Sequence, residues 1–394
     1  MQADFRLEGT AGEARTGTVT TARGSFATPC FMPVGTRGAV KHLDSSDLEA
    51  LGVEVMLANT YHLMLRPGSE TIARLGGIHG FADWSGHVLT DSGGYQIYSL
   101  DPAVDDGGAS FSSVYDGSPC RLTPEDAVTE QALIGADITM VLDVCPPATS
   151  ARPDLEEAVR RTALWARRGR DAFAAHPDAA QRQCQFGIVQ GGAEADLRRE
   201  SAERTVEIGF DGYAVGGLSV GEERPAMLAA LEACTAVLPA DSPRYFMGLG
   251  DPVGIVEAVA RGIDMFDCVL PARLGRHGTV LSDAGRYNLA AARHADSYEP
   301  LDPSFPESPA GRWSRGYLRH LLATREPTAA RLITLHNLAW LLRLMDRVRA
   351  AVRAGTLDDL RAGVGSIWDQ RPSERGRGPS GPQAAANKSG RRRV

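Results

Sequence analysis

The strongest constraint on this 394-residue chain is a repeated alternation. Short apolar runs recur: VEVMLAN ending at Asn59, ITMVLDV ending at Val144, QFGIVQG ending at Gly191, then GYAVGGL, RYFMGLG, and MFDCVLP ending at Pro271. Amphipathic stretches such as PEDAVTEQALIGA and PVGIVEAVARGI lie between them. A strand covered on both faces reads as an unbroken apolar run, and strand–helix alternation implies a parallel sheet. So many units in one chain favour an α/β fold closed as a (β/α)8 TIM barrel over an open sheet. Asn59, Asp143, Gln190, Gly217 and Asp267 all stand at the carboxyl ends of these runs. In a barrel that face carries the chemistry.

The rhythm stops after about residue 295. The expected division is a barrel catalytic region over 1–295, a C-terminal subdomain with closing helices over 296–370, and a basic tail over 371–394. A proline-rich loop, PLDPSFPESPAG, leads into helical stretches over 312–324 and 329–354. Trp313, Tyr317 and His320 follow i, i+4, i+7 spacing and so share one face, which either packs on the barrel or docks a second copy. The tail has almost no large apolar residue and is expected to be disordered. No apolar run approaches the roughly 20 residues that a membrane helix needs, so a cytoplasmic protein is expected. None of the six cysteines forms a C-x-x-C pair, so neither a zinc knuckle nor a disulfide frame is indicated. The net charge of −7 argues against indiscriminate nucleic-acid binding. The charge is uneven, however. Nine arginines face only Glu326 and Asp346 between 312 and 353. Such a segment is either a phosphate-facing patch or a solvated helix face.

Several stretches carry candidate chemistry. DSGGYQ, from 91 to 96, offers the Asp91 carboxylate, a glycine pair that lets a ligand approach the backbone, and Tyr95 for stacking. Asp-Ser-Gly-Gly is also an ordinary turn. Asp143, Gln190, the bare backbone at Gly217 and the Glu222 carboxylate together make a rim suited to a flat heterocycle with several N–H groups, of which guanine is one. In GIDMFDCVLPARLGRHG, Asp267 ends an apolar run and Arg273 and Arg276 follow. A buried strand-end carboxylate suits nucleophilic attack at an anomeric carbon, with a second carboxylate as acid/base. The arginines suit phosphates or base edges. The structural alternative is an Asp267–Arg273 salt bridge.

MPVGTRGAVKHL, LANTYHLMLRPG, LTDSGGYQ, GFDGYAVGGLSVGE, FMGLGDP and GIDMFDCVLPARLGRHG occur in this order. Together they resemble the tRNA-guanine transglycosylase family, from about residue 31 to 367. The resemblance implies a TIM-barrel pentosyltransferase that exchanges guanine on a ribose, at the wobble position of tRNAs with a GUN anticodon, for a free 7-deazaguanine on the way to queuosine. It implies Asp267 as the nucleophile at C1′ and Asp91 as the general acid/base. Asp143, Gln190, Gly217 and Leu218 become the base-recognition rim, with Tyr95 and Met247 sandwiching the ring. Glu222 adapts the pocket to the incoming base, and Arg273 and Arg276 read the anticodon loop. A homodimer is also implied.

Three departures qualify the resemblance. In the family the loop ahead of the SR-x-Y-L helix carries Cys-x-Cys-x-x-Cys, which closes a structural zinc site with a later histidine. Phe305, Glu307 and Ala310 stand at the cysteine positions here, and His336 at the histidine. A closed tetrahedral site cannot be built from that set, so no zinc or other cofactor is expected, with Phe305 filling the volume. Second, the family's D-E-C reads Asp143-Val144-Cys145. Third, Asp251 stands where bacterial relatives often carry a basic residue. Two competing readings follow: a paralogue that joins a 7-deazaguanine to a small ribosyl donor, as in nucleoside-antibiotic pathways, and a non-catalytic tRNA-binding subunit. Retention of Asp91, Asp267 and Tyr95 speaks against the latter.

Overall fold

The computed structural model describes residues 3–147 and 150–369. The basic tail expected over 371–394 lies outside them. Eight parallel strands form the barrel: β1 Cys30–Pro33, β2 Val55–Ala58, β3 His87–Thr90, β4 Ile138–Met140, β5 Cys184–Val189, β6 Gly212–Val215, β7 Arg244–Phe246 and β8 Met265–Cys268. Hydrogen bonding runs in sequence order from β2 to β8, and β8 pairs with β1 through Met265–Cys30 and Asp267–Met32. A bridge between Val34 and Leu57 closes the ring, with Gly35 N donating to Leu57 O at 2.7 Å. Nearly every residue of these strands is buried, as strands enclosed by helices must be.

The amino-terminal end of the barrel is covered by an antiparallel sheet of Asp4–Ala11, Ala14–Thr21 and Gly24–Thr28. Arg15 reaches from it to Asp264, just ahead of β8, through bonds of 3.0 and 2.6 Å. Asp264 also accepts from Arg244 N at 2.7 Å. Both members of this ion pair are almost completely enclosed. At the opposite end a second three-stranded sheet, Ala103–Asp105, Gly108–Ser112 and Pro119–Leu122, interrupts the crossover between β3 and β4.

After β8 the helix Leu270–Arg276 leads into a hairpin, Thr279–Ser282 with Gly285–Asn288, then the loop, then helices Arg315–Ala323, Pro327–Ala354 and Leu357–Trp368. The long helix lies against Leu270–Arg276 so closely that a Cβ on Gly275 would fall 2.5 Å from Thr334 Oγ1. Its buried side chains belong to the same apolar core as the barrel strands.

Two helix starts differ from expectation. The first helix begins at Arg315, because Ser314 caps it by accepting from Tyr317 N at 3.2 Å. Trp313 therefore precedes the helix and packs against the core, while Tyr317 and His320 stay exposed. The long helix starts at Pro327 rather than 329, since proline is well suited to the first helical position. Asp264→Ala is expected to cost about 3–5 kcal/mol in urea unfolding, because it leaves Arg15 enclosed without its counter-charge. A loss below about 1 kcal/mol would show that the pair is dispensable.

Candidate active site

The carboxyl ends of the strands enclose a pocket of about 370 Å³. β3 delivers Asp91, and Asp143 lies three residues beyond β4. Gln190 follows β5, Gly216 to Leu218 follow β6, Met247 follows β7, and Asp267 lies within β8. The strand-end residues singled out in the sequence thus converge on one cavity. β3 and β7 lie on opposite sides of the ring, so Tyr95 and Met247 approach the pocket from opposite walls. Tyr95 is 60% exposed and stands at the mouth.

Each carboxylate has its own set of donors. Asp267 Oδ1 accepts from Tyr245 Oη at 2.5 Å and from Gly248 N at 2.7 Å. Asp91 accepts from Asn59 Nδ2 at 2.5 Å and from Thr60 N at 2.9 Å. Asp143 accepts from Ser92 Oγ at 3.1 Å and from Gln190 Nε2 at 2.7 Å. Burial pushes Asp91 up to about 6, against the hydrogen bonds from Asn59, Thr60 and Gln96, and the Asp267 charge adds to the rise. Burial also raises Asp267, opposed by Tyr245 and Gly248, and raises Asp143, opposed by Gln190 and Ser92. Two carboxylates with separate donors, both raised by burial and Asp91 to about 6, suit an acid/base and nucleophile pair. Asp267 makes no salt bridge with Arg273 among the described residues.

The pocket floor is shaped for a planar ligand. Gln190 Oε1 is buried without a partner and so is free to accept from one. Gly217 has φ +65°, and a Cβ there would fall 2.3 Å from Gln190 Oε1. Only glycine lets the amide lie against the backbone at this point. Gly94 likewise leaves room for Asp143, whose Oδ1 lies 2.6 Å from where a Cβ would stand.

Glu222 does not line the pocket. Its carboxylate accepts from Ser219 N and Val220 N, closing a tight turn in which Ser219 has φ 60°. The turn, not the carboxylate, reaches the cavity. Arg273 and Arg276 are exposed on Leu270–Arg276 and make no ion pair among the described residues. Arg276 lines an adjoining depression with Arg37, Lys41 and His42. Arg37 and Arg66 stack over the Tyr115 ring nearby.

The departures from the family pattern each have a structural setting. Val144 turns away from the pocket into an apolar cluster with Phe111, Leu142 and Trp165, and its N–H donates to Thr162 Oγ1. Asp251 caps the helix Pro252–Val259 through Gly254 N at 2.8 Å and pairs with Arg224 at 3.1 Å. No group of three histidine, cysteine, aspartate or glutamate side chains among the described residues is arranged to hold a metal. Phe305 and Ala310 are buried around His336, whereas Glu307 is exposed. His336 Nε2 lies 2.8 Å from Leu281 O, which can only accept, and burial lowers the imidazole's pKa. The ring is therefore neutral with its proton on Nε2, and Nδ1 accepts from Ser308 Oγ at 2.6 Å. These side chains do not fit a four-ligand zinc site.

Tyr245, Gly248, Asn59 and Thr60 complete the site around the two central carboxylates. Of these, only Asn59 had stood out in the sequence. Tyr245 lies on β7 two residues before Met247, which follows the strand, and that period-2 relation was the one available signal.

Residues 10–368 match the model of the queuine tRNA-ribosyltransferase family. Similar curated proteins include queuine tRNA-ribosyltransferases of Solidesulfovibrio magneticus, 46% identical over 91% of this chain and 96% of the relative, and of Novosphingobium aromaticivorans, 47% identical over 89% and 94%. A third, from Herpetosiphon aurantiacus, is 47% identical over 88% of each chain.

The Asp91 carboxyl has a folded pKa above its unfolded one. Its stabilising contribution is therefore complete below about pH 4 and is lost as pH rises through about 6. Asp91→Asn does not ionise. Urea unfolding is expected to show the variant gaining up to roughly 3 kcal/mol on wild type between pH 4 and pH 8. A pH-independent difference between the two proteins would contradict the burial argument.

Proposed function

Because this chain belongs to the queuine tRNA-ribosyltransferase family, we propose that its pocket exchanges the wobble guanine of GUN-anticodon tRNA for a free 7-deazaguanine. The observation that carries the reading is the placement of two buried carboxylates, Asp91 and Asp267, in one cavity, each with its own set of donors. Asp267 attacks ribose C1′. As the new C1′–O bond forms, the C1′–N9 bond breaks and its electron pair leaves with guanine. Asp91, poised near neutrality, gives its proton to the departing base. It then takes one from the incoming base, which displaces Asp267. Two displacements retain the configuration at C1′. Tyr245 and Gly248 donate to Asp267 and offset part of the rise that burial causes, which favours the charged form that attacks.

Asp143, Gln190, Gly217 and Leu218 supply the base-recognition edge, with Tyr95 and Met247 against the two faces of the ring. Glu222 shapes the adjoining turn. Arg273, Arg276 and the basic depression beside the pocket suit a tRNA phosphate backbone better than a small ribosyl donor. Tyr317 and His320 offer an exposed face for a second copy of the chain. No helix among the described residues is long and apolar enough to cross a membrane. We place the enzyme with its tRNA in the cytoplasm.

The C-terminal segment folds without zinc in this reading, held by the Ser308–His336–Leu281 hydrogen bonds and by Phe305. Labelled guanine is expected to enter unmodified GUN tRNA, and Asp267→Ala to slow this at least about 10³-fold. A folded protein that binds 7-deazaguanine yet labels no tRNA would overturn the reading. Metal analysis is expected to find well under one zinc per chain, and prolonged dialysis against a strong chelator to leave both the thermal midpoint and the exchange rate unchanged. Stoichiometric zinc whose removal lowers the midpoint would refute the metal-free clip.

A further inference from the structure

Arg198 lies in the helix Ala195–Ile208 and is completely enclosed, at 0% exposure. Its Nε donates to Gly192 O at 2.6 Å, and its Nη1 donates to Val189 O at 3.0 Å and to Gly216 O at 2.7 Å. No carboxylate lies within ion-pair distance among the described residues. The acidic groups that act on it from nearby are the thiols of Cys234 and Cys145, then Glu222. Burial pushes those thiols up to about 11 and about 12, so neither carries charge at neutral pH. A fully buried guanidinium without a buried counter-charge is costly, and three carbonyl acceptors offset only part of that cost.

Its position suggests what the cost serves. One of the carbonyls it holds, Gly216 O, belongs to a peptide that lines the pocket. Gly216 O belongs to the peptide whose N–H is that of Gly217. That N–H is within hydrogen-bonding reach of the Cys145 sulfur, a weak acceptor that also lines the pocket. A charged donor on a peptide carbonyl polarises the bond and strengthens its N–H as a donor on the other side. The effect is larger where water is excluded. Gly217 N–H is thus a donor backed by a positive charge at the pocket lining, where a purine oxygen would be a stronger acceptor than the Cys145 sulfur.

We propose that Arg198 is a positioning residue that backs the leaving purine. It polarises the Gly216/Gly217 peptide and supplies the counter-charge for the anionic base formed in each half-reaction. The proposal rests on the transglycosylase reading. When C1′–N9 breaks, the electron pair passes to the purine and spreads toward its carbonyl oxygen, before or as Asp91 delivers the proton. In the second half-reaction the incoming base passes through the same charged form as it attacks C1′. The resting protein lacks a counter-charge for Arg198 because the reaction brings one. The competing role is a static brace joining the ends of β5 and β6, which would not distinguish one leaving base from another.

The test compares Arg198→Gln, which loses the charge, with Arg198→Lys, which keeps it. Single-turnover release is measured from tRNA carrying guanine and from tRNA carrying 8-azaguanine, a more acidic heterocycle and a better leaving group. Arg198→Gln is expected to slow guanine release on the order of 10²-fold with little change in the KM for tRNA. It should slow 8-azaguanine release at least about tenfold less. Arg198→Lys should fall between Gln and wild type. Equal slowing of both bases, or a loss confined to KM, would overturn the proposal. Should Arg198→Gln fail to fold, the leaving-base ratio of Arg198→Lys decides in the same way. A wild-type protein that exchanges no base removes the premise and this assignment with it.

Discussion

Three carboxylates share the mouth of one barrel, and most of the surrounding structure answers that fact. Asp91, Asp143 and Asp267 are all buried, so each must be either neutralised or surrounded by donors. β7 supplies Tyr245 and the Gly248 N–H to Asp267. The turn after β2 supplies Asn59 and Thr60 to Asp91. Gln190 ties Asp143 to β5. The donors come from strands far apart in sequence, and they converge only because the sheet closes. The opposite end shows the contrast. There Arg15 and Asp264 form a direct, enclosed ion pair that holds the covering sheet to the barrel. A satisfied pair sits where stability is required, and under-neutralised acids sit where protons must move.

The fold was legible because its signal is repetitive. Each apolar run became a buried strand, and Asn59, Asp143, Gln190, Gly217 and Asp267 all reached the same face. What escaped were groups whose sequence context looks apolar or solvated. Tyr245 reads as one more core aromatic in RYF, because a strand-internal tyrosine gives no sign of what its hydroxyl meets. Arg198 reads as one more charge in DLRRES, and nothing in the spacing separates it from its exposed neighbour Arg199. Trp313 was placed on a helix face by periodicity, but the Ser314 cap starts the helix after it. Glu222 looked like a pocket acid. Its two oxygens are taken by the turn it closes.

Around His336 the contacts are hydrogen bonds and apolar packing. A zinc ion would join four ligands by strong, directional bonds. Here His336 is joined instead to Ser308 and Leu281 by hydrogen bonds, while Phe305 packs its ring against the imidazole and under Arg343. Such bonds are individually modest, about 1 kcal/mol each. They suffice because the long helix carrying His336 is already bound into the barrel core along much of its length. The helix therefore does not depend on the loop alone to hold it in place.

That arrangement bears on the substrate as well as on stability. Asn337, next to His336, accepts from Leu281 N at 2.9 Å and donates to Pro271 O at 3.2 Å and Thr279 O at 3.0 Å. One turn of the long helix therefore fixes both the hairpin after β8 and the start of Leu270–Arg276, the element that carries Arg273 and Arg276. Gly275 lets that element lie directly on Thr334. The arginines make no ion pair among the described residues, yet their backbone is held from behind. On the proposed tRNA-binding role, charges that contact a polyanion stay free of internal partners, so rigidity has to come from the backbone beneath them. That rigidity comes from the long helix, which bears on the arginine element directly through Thr334 and Asn337.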